Sequence, residues 1–145
     1  MGTIGDIVRA LPPRKVYTAD ITDSVGRAVA VMKRYGVSQL PVLDEGRLCG
    51  IVTETDVLTL LVEGRAHMET SVAETMNRRV STLTGDDAAG RLHECFNRGE
   101  VAIVLDEQKR VTAILTKIDF VEYLTKSKAL PAGPSVARKG RGGVG

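Results

Sequence analysis

The stretch "GIVTETD" at residues 50–56 returns, little altered, as "AILTKID" at residues 113–119. Each is a short apolar run that ends in Thr, passes two variable positions and reaches Asp. A run of this length and composition reads as a buried strand, and Thr followed three residues later by an acid reads as a helix start. Both stretches therefore predict a strand that passes into a helix without a loop. Two copies of so specific a junction in 145 residues call for a search for a longer repeat.

The repeat extends in both directions. Setting the chain from Val16 above the chain from Val80 brings Thr18 to Thr82, and Asp23, Gly26 and Arg27 to Asp87, Gly90 and Arg91. The register then slips by two residues, so that "PVLDE" at 41 meets "IVLDE" at 103, and it regains one in the next turn. Thr53 then meets Thr116 and Asp56 meets Asp119. Identities recovered after small changes of loop length indicate a duplication.

Each copy predicts the same order of elements. A short strand (16–19; 80–83) leads to a helix whose apolar residues Val25, Ala28, Val29, Met32 and Tyr35 recur at helical steps. Asp23 or Ser24 caps its start and Gly36 stops it. Two apolar strands follow, joined by the tight turn "DEGR" or its counterpart "DEQKR", and a second helix closes the unit. Three strands with both helices on one face leave the other face bare, so two copies packed sheet against sheet bury both. The expected fold is α/β, two small sheets face to face with helices outside. Residues 1–66 hold the first motif with an N-terminal helix, and residues 67–126 a linker helix and the second motif. Residues 127–145, rich in Gly, Pro and base, form a flexible basic tail.

Composition narrows the function. The chain carries 20 Lys and Arg against 18 Asp and Glu, but five of the bases fall in residues 126–145 without an acid, so the folded part is mildly acidic. A nucleic-acid partner is not expected, because such a binder carries its basic patch on the folded body. The longest apolar cluster, "VLTLLV", is far short of the ~20 residues of a membrane span, and the N-terminus lacks a secretory pattern. A cytoplasmic protein is expected. Cys49 and Cys95 sit in apolar stretches and read as small buried hydrophobes.

Thr-x-x-Asp is first of all a capping box, and it or its Ser/Glu variant also occurs at Thr3, Ser71 and Thr84, each read as a helix start. Thr53 and Thr116 differ because they end a strand. A hydroxyl and free backbone N–H groups there can meet an anionic or polar group, and the Asp one turn later offers two acceptors to a ribose diol.

The duplicated unit, with "QLPVLDEGRLCGIVTETD" and "AIVLDEQKRVTAILTKID" at its centre, resembles the CBS domain pair, or Bateman module. The first copy is also similar to the C-terminal regulatory module of cystathionine β-synthase. The resemblance implies a regulatory module that binds an adenosyl ligand (S-adenosylmethionine, AMP, ADP or ATP) between the copies, with Thr53 and Asp56 in one cleft and Thr116 and Asp119 in the other. It implies that the purine lies against Pro41, Val42 and Leu43, or against Ile103, Val104 and Leu105. Val16, Tyr17 and Thr18 then close the Thr116 site, and Asn77, Val80 and Ser81 the Thr53 site. It further implies a homodimer and a partner or fused enzyme domain that responds to the ligand.

The chain departs from that pattern at Gln39, where nucleotide-binding members commonly place Arg, and at its counterparts Val101 and Ala102. S-adenosylmethionine, adenosine or AMP is expected ahead of ATP on that ground, although Arg9, Arg14, Lys15, Arg78 and Arg79 lie within reach of a cleft. The rival expectation is a dimerisation scaffold whose clefts stay empty. Catalysis is not expected. His93 and Cys95 project about 200° apart on one helix, no zinc set is available, and the terminal "GRGGVG" lacks the strand and helix that a dinucleotide fingerprint needs.

Overall fold

Residues 2–127 are described by a computed structural model. The tail expected at 127–145 lies, from residue 128, outside the described residues. The elements run α1 (Ile4–Ala10), β1 (Ala19–Asp20), α2 (Val25–Tyr35), β2 (Gln39–Asp44), β3 (Arg47–Thr53), α3 (Glu54–Val62), a 3-10 turn (Val72–Glu74), β4 (Ser81–Thr84), α4 (Arg91–Asn97), β5 (Ala102–Leu105), β6 (Val111–Leu115) and α5 (Lys117–Ser127).

They form two three-stranded sheets of the same plan, β1-β2-β3 and β4-β5-β6, the first pair of each parallel and the second antiparallel. Even the irregularities repeat, with a bulge after Val42 in one copy and after Val104 in the other. Along β2, Leu40 and Val42 enter one helix-covered core; along β5, Ala102 and Val104 enter the other. The intervening Pro41 and Ile103 are also fully buried but belong to neither core. Each central strand is thus covered on both faces, by helices on one side and by the opposite sheet on the other.

Local chemistry explains the boundaries. Ser24 accepts from the Arg27 N–H to begin α2, and Gly36 ends it at φ 67°. The turn at Glu45 and Gly46 has positive φ at both residues, as a two-residue hairpin loop requires. In the second hairpin Asp106 gathers the N–H groups of Gln108 and Arg110 while Lys109 takes φ 65°, which absorbs the extra residue. Thr84–Asp87 is a strand-end turn, in which Thr84 N–H donates to Asp87, and α4 starts only at Arg91. The expected helix start at Thr84 is corrected accordingly.

The first strand of each copy is displaced from the expected 16–19 and 80–83. In the first copy only Ala19 and Asp20 pair with β2, whereas in the second all of Ser81–Thr84 pair with β5. The cause is Pro41. Its partner across β3 is Ile51, which directs both backbone groups away from β2, to Asn77. Position 41 therefore faces β1 with its own amide, and proline has none to give. Ile103 supplies that N–H in the second copy.

The segments that precede each copy are exchanged. Ile4 and Ile7 of α1 are fully buried in the core of the second sheet, and Val72 of the linker is fully buried in the core of the first with Met76 beside it. Matching backbone bonds fix both: Ile4 N–H to the Asp87 carbonyl and Val72 N–H to the Asp23 carbonyl, each 2.8 Å. Chain order groups α1 with the first copy; its packing groups it with the second. Apolar side chains at 4 and 7 have only the second copy's open core to enter, since the linker already fills the first.

Candidate functional site

Each strand-helix junction opens on a cleft between the copies. At the first, β3 ends in Thr53, whose Oγ1 accepts from the Asp56 N–H at 3.1 Å, and α3 begins at once. A cleft of about 360 Å³ lies over it, gathering Gln39, Thr53, Asp56, Asn77 and Val80 of the expected residues. Arg79, Glu54 and Glu100 complete its charged wall. Among the described residues nothing hydrogen-bonds to the Asp56 carboxylate.

Ser81 stands behind this wall. Its hydroxyl hydrogen-bonds to the Glu100 carboxylate, and Arg98 reaches both. The Ser81 and Arg98 hydrogen bonds hold the Glu100 carboxyl below the usual carboxylate range, so it stays ionised at the cleft.

At the second junction Thr116 Oγ1 accepts from the Asp119 N–H at 3.2 Å, and the Thr116 N–H donates back to Asp119 Oδ2 at 2.9 Å, a complete capping box. Arg14 then closes on the same carboxylate, Nη1 to Oδ1 at 3.1 Å and Nη2 to Oδ2 at 2.5 Å, while Nη2 also reaches the Ile114 carbonyl at 3.0 Å. Asp119 is left only 5% exposed. Burial works to raise its pKa, but the hydrogen bonds from Arg14 and Thr116 outweigh burial and the net shift is downward. The adjoining cleft, about 290 Å³, gathers Val16, Tyr17, Gln39 and Thr116 with Arg14 and Lys15. Tyr17 is braced from behind by Tyr35, ring centroids 3.9 Å apart and nearly parallel.

Several expected residues lie elsewhere. Pro41, Val42 and Ile103 have almost no exposed surface, because β2 and β5 are central strands sandwiched on both faces. Val104 and Leu105 border a separate groove beside α1, and Leu43 and Thr18 border neither cleft. The purine wall expected along the middle strands is therefore absent from both clefts. Of the five bases within reach by sequence, Arg14, Lys15 and Arg79 border a cleft; Arg9 pairs with Asp6 instead. Pairing of Arg14 with Asp119, 105 residues on, left no sequence signal beyond their opposite charge.

Residues 3–63 match the CBS domain family. The chain folds as a CBS domain pair. An Arabidopsis thaliana CBS-pair protein, CBSX2, solved in complex with AMP, superposes with a TM-score of 0.73 at 20% identity, over 88% of this chain and 99% of that one. A CBS domain pair solved with 5′-methylthioadenosine and S-adenosyl-L-methionine gives 0.71 at 24% identity, over 88% of this chain and 98% of that one. By sequence, the pair is 31% identical to an uncharacterized Methanocaldococcus jannaschii protein over 81% of this chain. It is 29% identical to the cystathionine beta-synthase of Dictyostelium discoideum over 86% of this chain. The CBS pair spans 51% of the first relative and 26% of the second. Among the described residues no helix is long and apolar enough to cross a membrane, and no three His, Cys, Asp or Glu side chains are grouped as metal ligands.

Proposed function

We propose that this CBS pair is a regulatory module that senses an adenosyl ligand in the clefts between its copies, and that the Thr53 cleft receives S-adenosylmethionine or a related nucleoside. The observation that carries the reading is the Asp56 carboxylate: it borders a cleft, in the first turn of α3, and among the described residues no donor is committed to it. A ribose diol supplies two donors to such a group. The cleft wall holds Glu54, Asp56 and Glu100 against Arg79, which suits a sulfonium cation with one carboxylate and opposes a triphosphate. The two solved relatives that hold AMP, or methylthioadenosine with S-adenosylmethionine, support the same ligand class.

Regulation follows if the ligand binds two arrangements of the copies with different affinity and so shifts their populations. A fused domain or separate partner reads that shift. A second copy of the chain is the proposed neighbour on the helix faces, where Leu58 and Val62 of α3 and Ile118 and Val121 of α5 are exposed. These same faces favour the scaffold reading, in which dimerisation is the whole function.

Thermal melts with S-adenosylmethionine, methylthioadenosine, AMP, ADP and ATP separate the two. A ligand at 100 times its Kd stabilises the fold by ~2.7 kcal/mol. Asp56→Ala is expected to weaken S-adenosylmethionine by about tenfold or more, through loss of a charged acceptor worth ~1.5–3 kcal/mol. No shift with any adenosyl compound overturns the sensing reading in favour of the scaffold.

A further inference from the structure

The two clefts carry opposite charge. The first is lined by three acids and one base, whereas the charged residues lining the second, among those described, are Arg14 and Lys15 alone. Asp119 lies behind Arg14 and is tied to it through both carboxylate oxygens. From these observations, and resting on the adenosyl-sensing reading above, we propose that the Thr116 cleft is a latched site for nucleoside phosphates, with Arg14 as the latch and the specificity-determining residue.

Binding at this cleft is an exchange of partners. A ribose can reach Asp119 only if the guanidinium leaves it, and the two-bond ion pair is then lost unless the ligand brings Arg14 another anion. A ligand with both a diol and a phosphate replaces both halves of the ion pair at once. The diol donates to Asp119, and the phosphate accepts two parallel N–H bonds from Arg14, with Lys15 adjacent. An uncharged nucleoside satisfies Asp119 but leaves the Arg14 guanidinium to water, so the ion pair is broken without a replacement. S-adenosylmethionine adds a sulfonium to a wall that is already cationic. Discrimination therefore comes from an ion pair that the wrong ligand breaks without replacing.

Position supports the assignment. Arg14 also donates to the Ile114 carbonyl, the counterpart of the Ile51 carbonyl that the Asn77 N–H occupies in the first copy. The edge of β3 is thus sealed by backbone, which stays, and the edge of β6 by a side chain, which can rotate away. Arg14 is 44% exposed on its side chain, lines the cleft, and follows α1 on a segment without regular structure, so part of the side chain is already open to an incoming ligand.

Calorimetric titration of the full chain carrying Asp56→Ala isolates the second cleft. That variant is expected to bind AMP, and adenosine at least tenfold more weakly. Adding Arg14→Ala or Arg14→Gln, the latter keeping a hydrogen-bond donor beside Asp119 without the charge, is expected to reduce the AMP-over-adenosine preference to twofold or less. Equal affinities in the Asp56→Ala chain, or a preference unchanged by both Arg14 variants, overturn the latch and leave sensing at the first cleft standing. So does S-adenosylmethionine binding in the wild type with no AMP binding once Asp56 is removed. No binding of any of these compounds by any form of the chain overturns both readings together.

Discussion

Asp56 and Asp119 occupy the same step of the same strand-helix junction in the two copies, yet the first carboxylate lines an acidic cleft with no hydrogen-bond donor on it among the described residues and the second is buried under an arginine. The difference arises from what precedes each copy in the chain. Before the second copy comes a linker whose Asn77 backbone seals the sheet edge beside Asp56 without touching its carboxylate. Before the first comes α1 and then Arg14, which takes the equivalent edge with a side chain and continues to Asp119. Duplication supplied two equal sites, and the unequal leading segments made them different.

Unseating the leading segments is expected to be the most damaging change. Ile4→Ala opens a cavity in the second core and is expected to cost about 2–5 kcal/mol in urea unfolding, with Val72→Ala costing somewhat less in the first core. A cost under ~1 kcal/mol for Ile4→Ala shows that α1 is not held there, and the account of Arg14 falls with it. A smaller effect separates the two carboxylates. Arg14→Ala leaves Asp119 buried without its counter-ion and is expected to destabilise by ~1–3 kcal/mol, whereas Asp56→Ala stays within about 0.5 kcal/mol. Equal costs erase the distinction between the clefts.

The smallest effect is one of pH. The folded-state pKa of Asp119 is depressed, so its contribution to stability is complete above the unfolded value near ~4 and is lost as pH falls through the lower folded value. The stability gap between wild type and Arg14→Ala should accordingly hold from neutral pH to about 5 and shrink below about 4. A gap that stays constant down to pH ~2 rules out the ionised pair as its source.

Much of this is legible in the order of residues. The repeat, the paired junctions, Ser24 and Gly36 as the limits of α2, and the two-sheet architecture are all written in local pattern, because capping, turn chemistry and apolar periodicity act within a few residues. Thr53, Asp56, Asn77, Val80 and Ser81 were grouped by resemblance; the first four line one cleft together with Gln39, and Ser81 stands behind its wall. The purine wall was misplaced because an apolar strand residue reads alike whether one face or both are covered; Pro41 and Ile103 are sealed by the opposite sheet. The shortening of β1 was within reach, since a proline in a central strand removes a ladder donor.

That the molecule is built twice, and that each half presents a hydroxyl and an acid at the mouth of a helix, can be read along the chain. Which acid is available is settled by long-range packing. That choice rests on a contact between residues 14 and 119, and opposite charges so far apart in a chain find each other through the fold that carries them, not through any spacing that can be read along it.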